Sequence, residues 1–434
     1  GSLIKETSAA IDVAFFILMV GGFLGVVNET GMLDTGIASI VKKYKGREKM
    51  LILVLMPLFA LGGTTYGMGE ETMAFYPLLV PVMMAVGFDS LTGVAIILLG
   101  SQIGCLASTL NPFATGIASS TAGVSLGEGI ILRLIFWFTL TALSTWFVYR
   151  YADKIQKDPT KSLTYATREE DMKFFNVGED EENVNSTLTK KQKHVFVLFV
   201  LTFVLMVLSF IPWTGLHINL FENFNTWLTG LPVIGKIIGS STAALGTWYF
   251  PEGAMLFAFM GILIGVVYGL KEDKIISAFM NGAADLLSVA LIVAIARGIQ
   301  VIMNDGMITD TILNWGKQGL SGLSSQVFIV LTYIFYLPMS FLIPSSSGLA
   351  SATMGIMAPM GEFVNVKASL IITAYQSASG VLNLVAPTSG IVMGALALGR
   401  INIGTWWKFI GKLIVAIIAI SIGLLLLGTF LPFL

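Results

Sequence analysis

Four short stretches gather the hydroxyl, amide and backbone groups that hold a small ion or a carboxylate. Two are candidate turns, Gly62-Gly63-Thr64-Thr65-Tyr66-Gly67 and Pro344-Ser345-Ser346-Ser347-Gly348. The other two are proline interruptions of apolar helices, Leu110-Asn111-Pro112-Phe113-Ala114-Thr115-Gly116 and Asn383-Leu384-Val385-Ala386-Pro387-Thr388-Ser389-Gly390. A helix that resumes after proline presents unpaired N–H groups and a positive dipole end, which attract a carboxylate by about 0.3–2 kcal/mol per end. The carbonyls freed at such breaks suit a hard cation such as Na⁺, and so do the hydroxyls of Thr64, Thr65, Ser345, Ser346, Ser347, Thr388 and Ser389. A Na⁺ site is expected near Thr64, Thr65, Ser346 and Ser347. Gly63, Asn111, Pro112, Thr115, Asn383 and Pro387 complete the expected substrate shell.

Further polar residues interrupt apolar surroundings. Gln102 and Gln376 stand almost equally far before Pro112 and Pro387 and are expected to face a cavity. Glu70 and Glu71 follow the first turn with no counterpart after the second. A carboxylate pair near the middle of a bilayer is costly unless paired or protonated. The pair is therefore read as a counter-charge for a cationic substrate, a proton carrier or a Na⁺ ligand. Arg297 sits inside an apolar helix and needs an acidic partner, Asp285 or a hairpin glutamate. Cys105, the single cysteine, reads as packing, and two distant histidines (His194, His217) offer no metal centre.

These groups require a scaffold of membrane helices. The 434 residues are 55% hydrophobic and 12% charged, with a mean hydropathy of +0.83. A soluble domain would carry about 25% charged residues, and apolar runs long enough to cross ~30 Å of hydrocarbon recur throughout. Continuous rather than alternating runs exclude a β-barrel, and a net charge of −1 gives no hint of nucleic acid. The expected fold is an all-α polytopic membrane protein with inverted structural repeats, each holding a re-entrant helical hairpin and a broken transmembrane helix. The first repeat spans 3–150, with its hairpin at 50–87 and its broken helix at 90–122. A mixed-charge cytoplasmic linker, solvated and partly flexible, covers 151–193. The second repeat spans 194–434, with its hairpin at 326–364 and its broken helix at 366–400. Met50 to Leu61 is about a dozen residues, roughly 18 Å of helix, too short to cross. That makes it the descending arm of a hairpin whose tip, Gly62 to Gly67, lies near the midplane. The basic cluster Lys42, Lys43, Lys45, Arg47 and Lys49 places its loop inside, whereas the matching second segment holds only Lys317, so the second copy is inverted. Two helices precede the second copy and none precedes the first, so the chain is expected to start inside its first repeat, with Gly1-Ser2 a non-native leader.

At Gly62-Gly63-Thr64-Thr65-Tyr66-Gly67-Met68-Gly69-Glu70-Glu71-Thr72, with Asn111-Pro112-Phe113-Ala114-Thr115-Gly116 and Ala386-Pro387-Thr388-Ser389-Gly390, the sequence resembles the YfcC family over essentially its whole length. That family is grouped with the anaerobic C4-dicarboxylate carriers, and its members are described as candidate basic amino acid antiporters. More distantly, the layout is similar to the ion-transporter superfamily of divalent anion/sodium symporters. That resemblance implies a substrate carboxylate and Na⁺ at two hairpin tips, a homodimer, and an elevator-like movement of the transport domain. Gly-Thr-Thr and Ser-Ser-Ser-Gly stand where those symporters carry Ser-Asn-Thr.

The expectation is a non-enzymatic secondary active transporter of a bacterial inner membrane. Its substrate would be a small carboxylate-bearing metabolite, a basic amino acid first, with Na⁺- or H⁺-coupled C4-dicarboxylate transport as the alternative. Only Na⁺ or H⁺ is expected as coupling ion, with no other cofactor. A membrane-embedded hydrolase lacks G-x-S-x-G, H-E-x-x-H and any serine–histidine pairing, and paired opposed hairpins suit a gated site better than a channel.

Overall fold

The computed structural model describes residues 2–125, 127–177, 187–210, 213–214, 218–231, 242–248, 250–287, 290–291 and 323–431. Its helices are, in chain order, α1 (Ser2–Glu29), α2 (Met32–Tyr44), α3 (Met50–Tyr66), α4 (Tyr76–Ala85), α5 (Ser90–Leu106), α6 (Ile117–Ala122), α7 (Ile130–Lys157), α8 (Arg168–Phe174) and α9 (Lys190–Phe210). They continue as α10 (Leu220–Thr229), α11 (Phe250–Tyr268), α12 (Glu272–Asp285), α13 (Ser325–Leu342), α14 (Ser346–Phe363), α15 (Ala368–Val385), α16 (Gly390–Leu398) and α17 (Ile403–Phe430). No strand occurs among the described residues. Six stretches there are long and apolar enough to cross a membrane, with α15 and α16 counted as one.

The chain divides into two compact units, and each draws on both the first and the second part of the sequence. One comprises Gly1–Thr7, Lys43–Glu179 and Ile292–Leu434; the other comprises Ser8–Lys42 and Asp180–Leu291. The second unit is held by small residues and phenylalanine. A Cβ on Gly21 would lie 2.4 Å from the Gly282 carbonyl oxygen, and one on Gly25 would lie 2.2 Å from that of Ala278. Such glycine pairs let helix backbones meet where lipid removes the hydrophobic drive. Phe23 packs edge-on against Phe203 and Phe257 in the same unit, and Lys274 pairs with Glu29 at 2.9 Å.

The first unit contains both helical pairs and both interrupted helices. Here the first turn differs from expectation. Gly62 and Gly63 do not unwind the chain: α3 continues to Tyr66 and ends at Gly67, whose φ of +80° only glycine adopts without strain. Gly63 is small for another reason. A Cβ there would fall 2.0 Å from the Ser101 carbonyl oxygen, so α3 and α5 cross backbone to backbone, with Gly104 reciprocating against Ala60. The first arm is therefore 17 residues long, about 26 Å at 1.5 Å per residue, rather than a dozen. A five-residue 3₁₀ helix, Glu70–Ala74, leads into α4. In the second pair the turn is Ile343–Ser345, and the Ser345 hydroxyl accepts from the Gly348 N–H as the N-cap of α14. Ser346 and Ser347 thus begin a helix.

The expected flexible linker is folded over residues 158–177. Tyr151 and Ser162 donate to the buried Asp89 carboxylate at 2.7 and 2.6 Å, and Asp89 also caps α5 through the Thr92 N–H. Asp171, buried at the other end of this segment, accepts from Arg400 Nε at 2.8 Å, just beyond α16. Buried carboxylates survive when their lone pairs are filled in this way, and here they fasten the segment to both interrupted helices.

Candidate functional site: the junction of the two interrupted helices

Both proline interruptions expected from sequence are present. After α5, residues 107–111 leave helical geometry, and a π-type turn, Pro112–Gly116, leads into α6. After α15, Ala386 turns extended, and the Ser389 hydroxyl accepts from the Val392 N–H to start α16. The helices meet just before their breaks. A Cβ on Gly380 would sit 2.4 Å from Leu106 Cβ, so α15 crosses α5 at van der Waals contact.

Gln376 exploits that crossing. Its amide Nε2 donates to the Ser108 carbonyl oxygen at 2.8 Å, and its Oε1 accepts from the Thr115 hydroxyl. Thr115 in turn pairs with the Ser108 hydroxyl at 2.7 Å. One side chain of the second copy thereby closes the interruption of the first, with every partner buried. Gln102 behaves differently. It donates to the Met68 carbonyl oxygen at 3.3 Å, holding the turn of its own copy. Thr64 fastens the same turn to the break, donating to the Ala107 carbonyl oxygen at 2.7 Å while its own carbonyl accepts the Thr109 and Leu110 N–H groups.

The turns and breaks are also interleaved. The 3₁₀ turn Glu70–Ala74 packs on α16 of the second copy, and α14 packs on the Pro112–Gly116 turn and α6 of the first. Ser346 is tied down through its carbonyl oxygen by the Tyr375 hydroxyl. Thr64, Gln102, Asn111, Thr115, Ser346, Gln376, Thr388 and Ser389 therefore lie in one unit, around the two breaks.

Several expected ligands are already occupied. The Thr65 hydroxyl bonds back to the Leu61 carbonyl oxygen at 2.7 Å within its own helix. Ser345 caps α14 and lies 3.3 Å from the Ser347 hydroxyl. Asn111 accepts the Ala114 N–H at 3.2 Å through its side chain and the Gly116 N–H at 2.9 Å through its carbonyl, so the first resumed turn is largely satisfied. Its helix α6 has only six residues, whereas the nine-residue α16 keeps the open N–H groups of a helix start at Gly390 and Ile391. Gly63 packs helices, and Asn383 is a buried residue of α15. Beside Ser389, the buried Thr388 hydroxyl has no hydrogen-bond partner among the described residues, and the hydroxyls of Ser119 on α6 and Ser379 on α15 share that state. Buried polar atoms of this kind cost about 1–3 kcal/mol each and call for an explanation.

The side chains of Glu70, Glu71, Pro112 and Phe113 lie outside the described residues, as do Arg297, His217 and the second-copy segment carrying Lys317. The polar side chains described at the junction are all neutral. Reading the sequence for breaks passes over Ser108, Thr109 and Tyr375, although Tyr375 adjoins Gln376 and Ser108 and Thr109 just precede the first selected stretch. It also passes over Arg133, a fully buried cation in the first turn of α7 that donates to the Glu128 carbonyl oxygen at 2.9 Å.

The chain is similar to known proteins over most of its length. The family described as DcuC, C4-dicarboxylate anaerobic carrier, matches residues 1–430. An uncharacterised protein of Haemophilus influenzae is 34% identical over 420 residues, which is 97% of this chain and 76% of that protein. Escherichia coli YfcC, named a candidate basic amino acid antiporter, is 30% identical over 439 residues, 98% of this chain and 79% of its own. Among solved structures, the Alcanivorax borkumensis YdaH transporter and the Neisseria gonorrhoeae efflux pump MtrF are each 16% identical, with a TM-score of 0.45. Each comparison covers 99% of this chain, with 87% of YdaH and 83% of MtrF covered in turn. The family and the named relatives are transporters rather than enzymes. The chain belongs to the DcuC family of C4-dicarboxylate anaerobic carriers and is an integral membrane transporter of the bacterial inner membrane.

Proposed function

We propose that this chain is a secondary transporter whose substrate carboxylate is received at the second interruption, between Thr388 and the start of α16. The observation carrying this reading is the unpartnered, buried Thr388 hydroxyl next to the open Gly390 and Ile391 N–H groups. A carboxylate there accepts from both, gaining charge-assisted bonds where water is excluded. Asn111 and Pro112 line the same junction from the first copy. The two copies run in opposite senses through the bilayer, each contributing a re-entrant hairpin. Na⁺ or H⁺ is the coupling ion, and Na⁺ uses carbonyls freed near Thr64 and Ser346.

The preferred substrate is a basic amino acid, its cationic side chain met by Glu70 and Glu71 beside the first turn; the name of the Escherichia coli relative supports this choice. The family description favours a second reading, C4-dicarboxylate uptake. Transport proceeds by an elevator movement of the unit carrying hairpins and breaks, within a homodimer. Support comes from the chain's division, which puts both pairs and both interruptions in one compact unit. Binding of arginine, lysine, succinate and malate to purified protein, with and without Na⁺, separates the readings. Arginine or lysine should bind, and Glu70→Gln with Glu71→Gln should abolish it. Tight succinate binding that survives both substitutions would select the dicarboxylate instead.

A further inference from the structure

A second polar site lies in the same unit, away from the junction, where α7 and α15 begin side by side. Its walls are Gly129, Leu132, Asn365, Lys367, Ser369 and Thr429, around a small cleft that opens to solvent. Two helix starts contribute to it. Gly129 precedes α7 and Lys367 precedes α15; neither has a side-chain cap, and neither helix has an acidic residue in its first turn. The starts touch: a Cβ on Gly129 would fall 3.5 Å from the Ser369 hydroxyl. Ser369 is the telling residue. It is 5% exposed and lines the cleft, and its hydroxyl bonds to nothing among the described residues.

Two uncapped N-termini, an exposed lysine and a buried idle hydroxyl form an environment for an oxyanion. The carboxylates adjacent in sequence, Glu128 and Glu362, are exposed, and neither lines the cleft. The rim is apolar. Phe430, 65% exposed, adjoins the lining residue Thr429, and Phe363, 89% exposed, lies two residues before Asn365. An anion pocket bordered by bare aromatic side chains suits a ligand that carries phosphate and acyl chains together.

We propose that this cleft binds the phosphate of a phospholipid headgroup, with Ser369, Lys367 and the N–H groups of both helix starts as its donors and Phe363 and Phe430 against the acyl chains. The site is independent of the substrate reading. Native mass spectrometry of the purified full chain, titrated with phosphatidylglycerol, with the matching diacylglycerol and with inorganic phosphate, tests it. The expected result is retained phosphatidylglycerol, little diacylglycerol, and no displacement by millimolar phosphate. Ser369→Asp should weaken lipid retention about tenfold or more by placing a like charge at the pocket floor. Lys367→Ala, which removes one exposed cation from the rim, should weaken it about threefold. Equal retention of diacylglycerol, or unchanged retention in both variants, would overturn the proposal. Displacement by inorganic phosphate would reassign the pocket to a soluble anion and overturn the lipid source.

Discussion

The two copies hold their turns with different residues, and that difference makes the junction. In the first copy Gln102 fixes the turn through the Met68 carbonyl oxygen. In the second, Tyr375 does so through Ser346, one position before the matching glutamine. Gln376 is thereby released from its own copy and crosses to Ser108 and Thr115. A repeat that was symmetric at this position would satisfy each half separately and leave the halves joined by packing alone. A one-residue change of task turns two similar segments into one connected site. It also leaves them unequal: the first break is filled by Asn111, while the second keeps the unpaired Thr388 hydroxyl and the longer resumed helix.

Substitutions can break this contrast. Gln376→Leu should be the most damaging, because it strands the Ser108 carbonyl and Thr115 in a buried place. A loss of about 2–4 kcal/mol is expected in unfolding measurements, together with loss of substrate binding. Gln102→Leu removes one longer bond at the edge of a turn and should cost only about 0.5–1.5 kcal/mol. Equal effects for the two glutamines would mean the copies are alike after all. No loss of stability is expected for Thr388→Val, and a gain of up to about 1–3 kcal/mol, since it removes a buried hydroxyl without a partner among the described residues. Substrate affinity in that variant should nevertheless fall about tenfold, the loss of one charge-assisted bond, as titration of purified protein would reveal.

Much of this arrangement is legible in the residues themselves. Pro112 and Pro387 cannot continue a helix ladder, so both interruptions follow from local chemistry, and the apolar runs demand membrane helices. The glycine pair at 62–63 misleads because glycine serves two ends. Which one applies depends on Ser101 and Gly104, some forty residues away, and close packing won over unwinding. Asp171 looks like a solvated charge of a polar linker until Arg400 reaches it, and Asp89 like a simple helix cap until Tyr151 and Ser162 surround it. The crossing of Gln376 was hidden for a similar reason: spacing shows that two glutamines correspond, while the hydroxyl of Tyr375 decides which of them is free to leave its copy.

The account depends on Gln376 and Thr115 acting as one unit across the two copies. A double-mutant cycle on unfolding free energy, with Gln376→Leu, Thr115→Val and their combination, measures that directly. The structure predicts a coupling of about 1 kcal/mol or more between them. Effects that simply add, within about 0.3–0.5 kcal/mol, would contradict a shared junction.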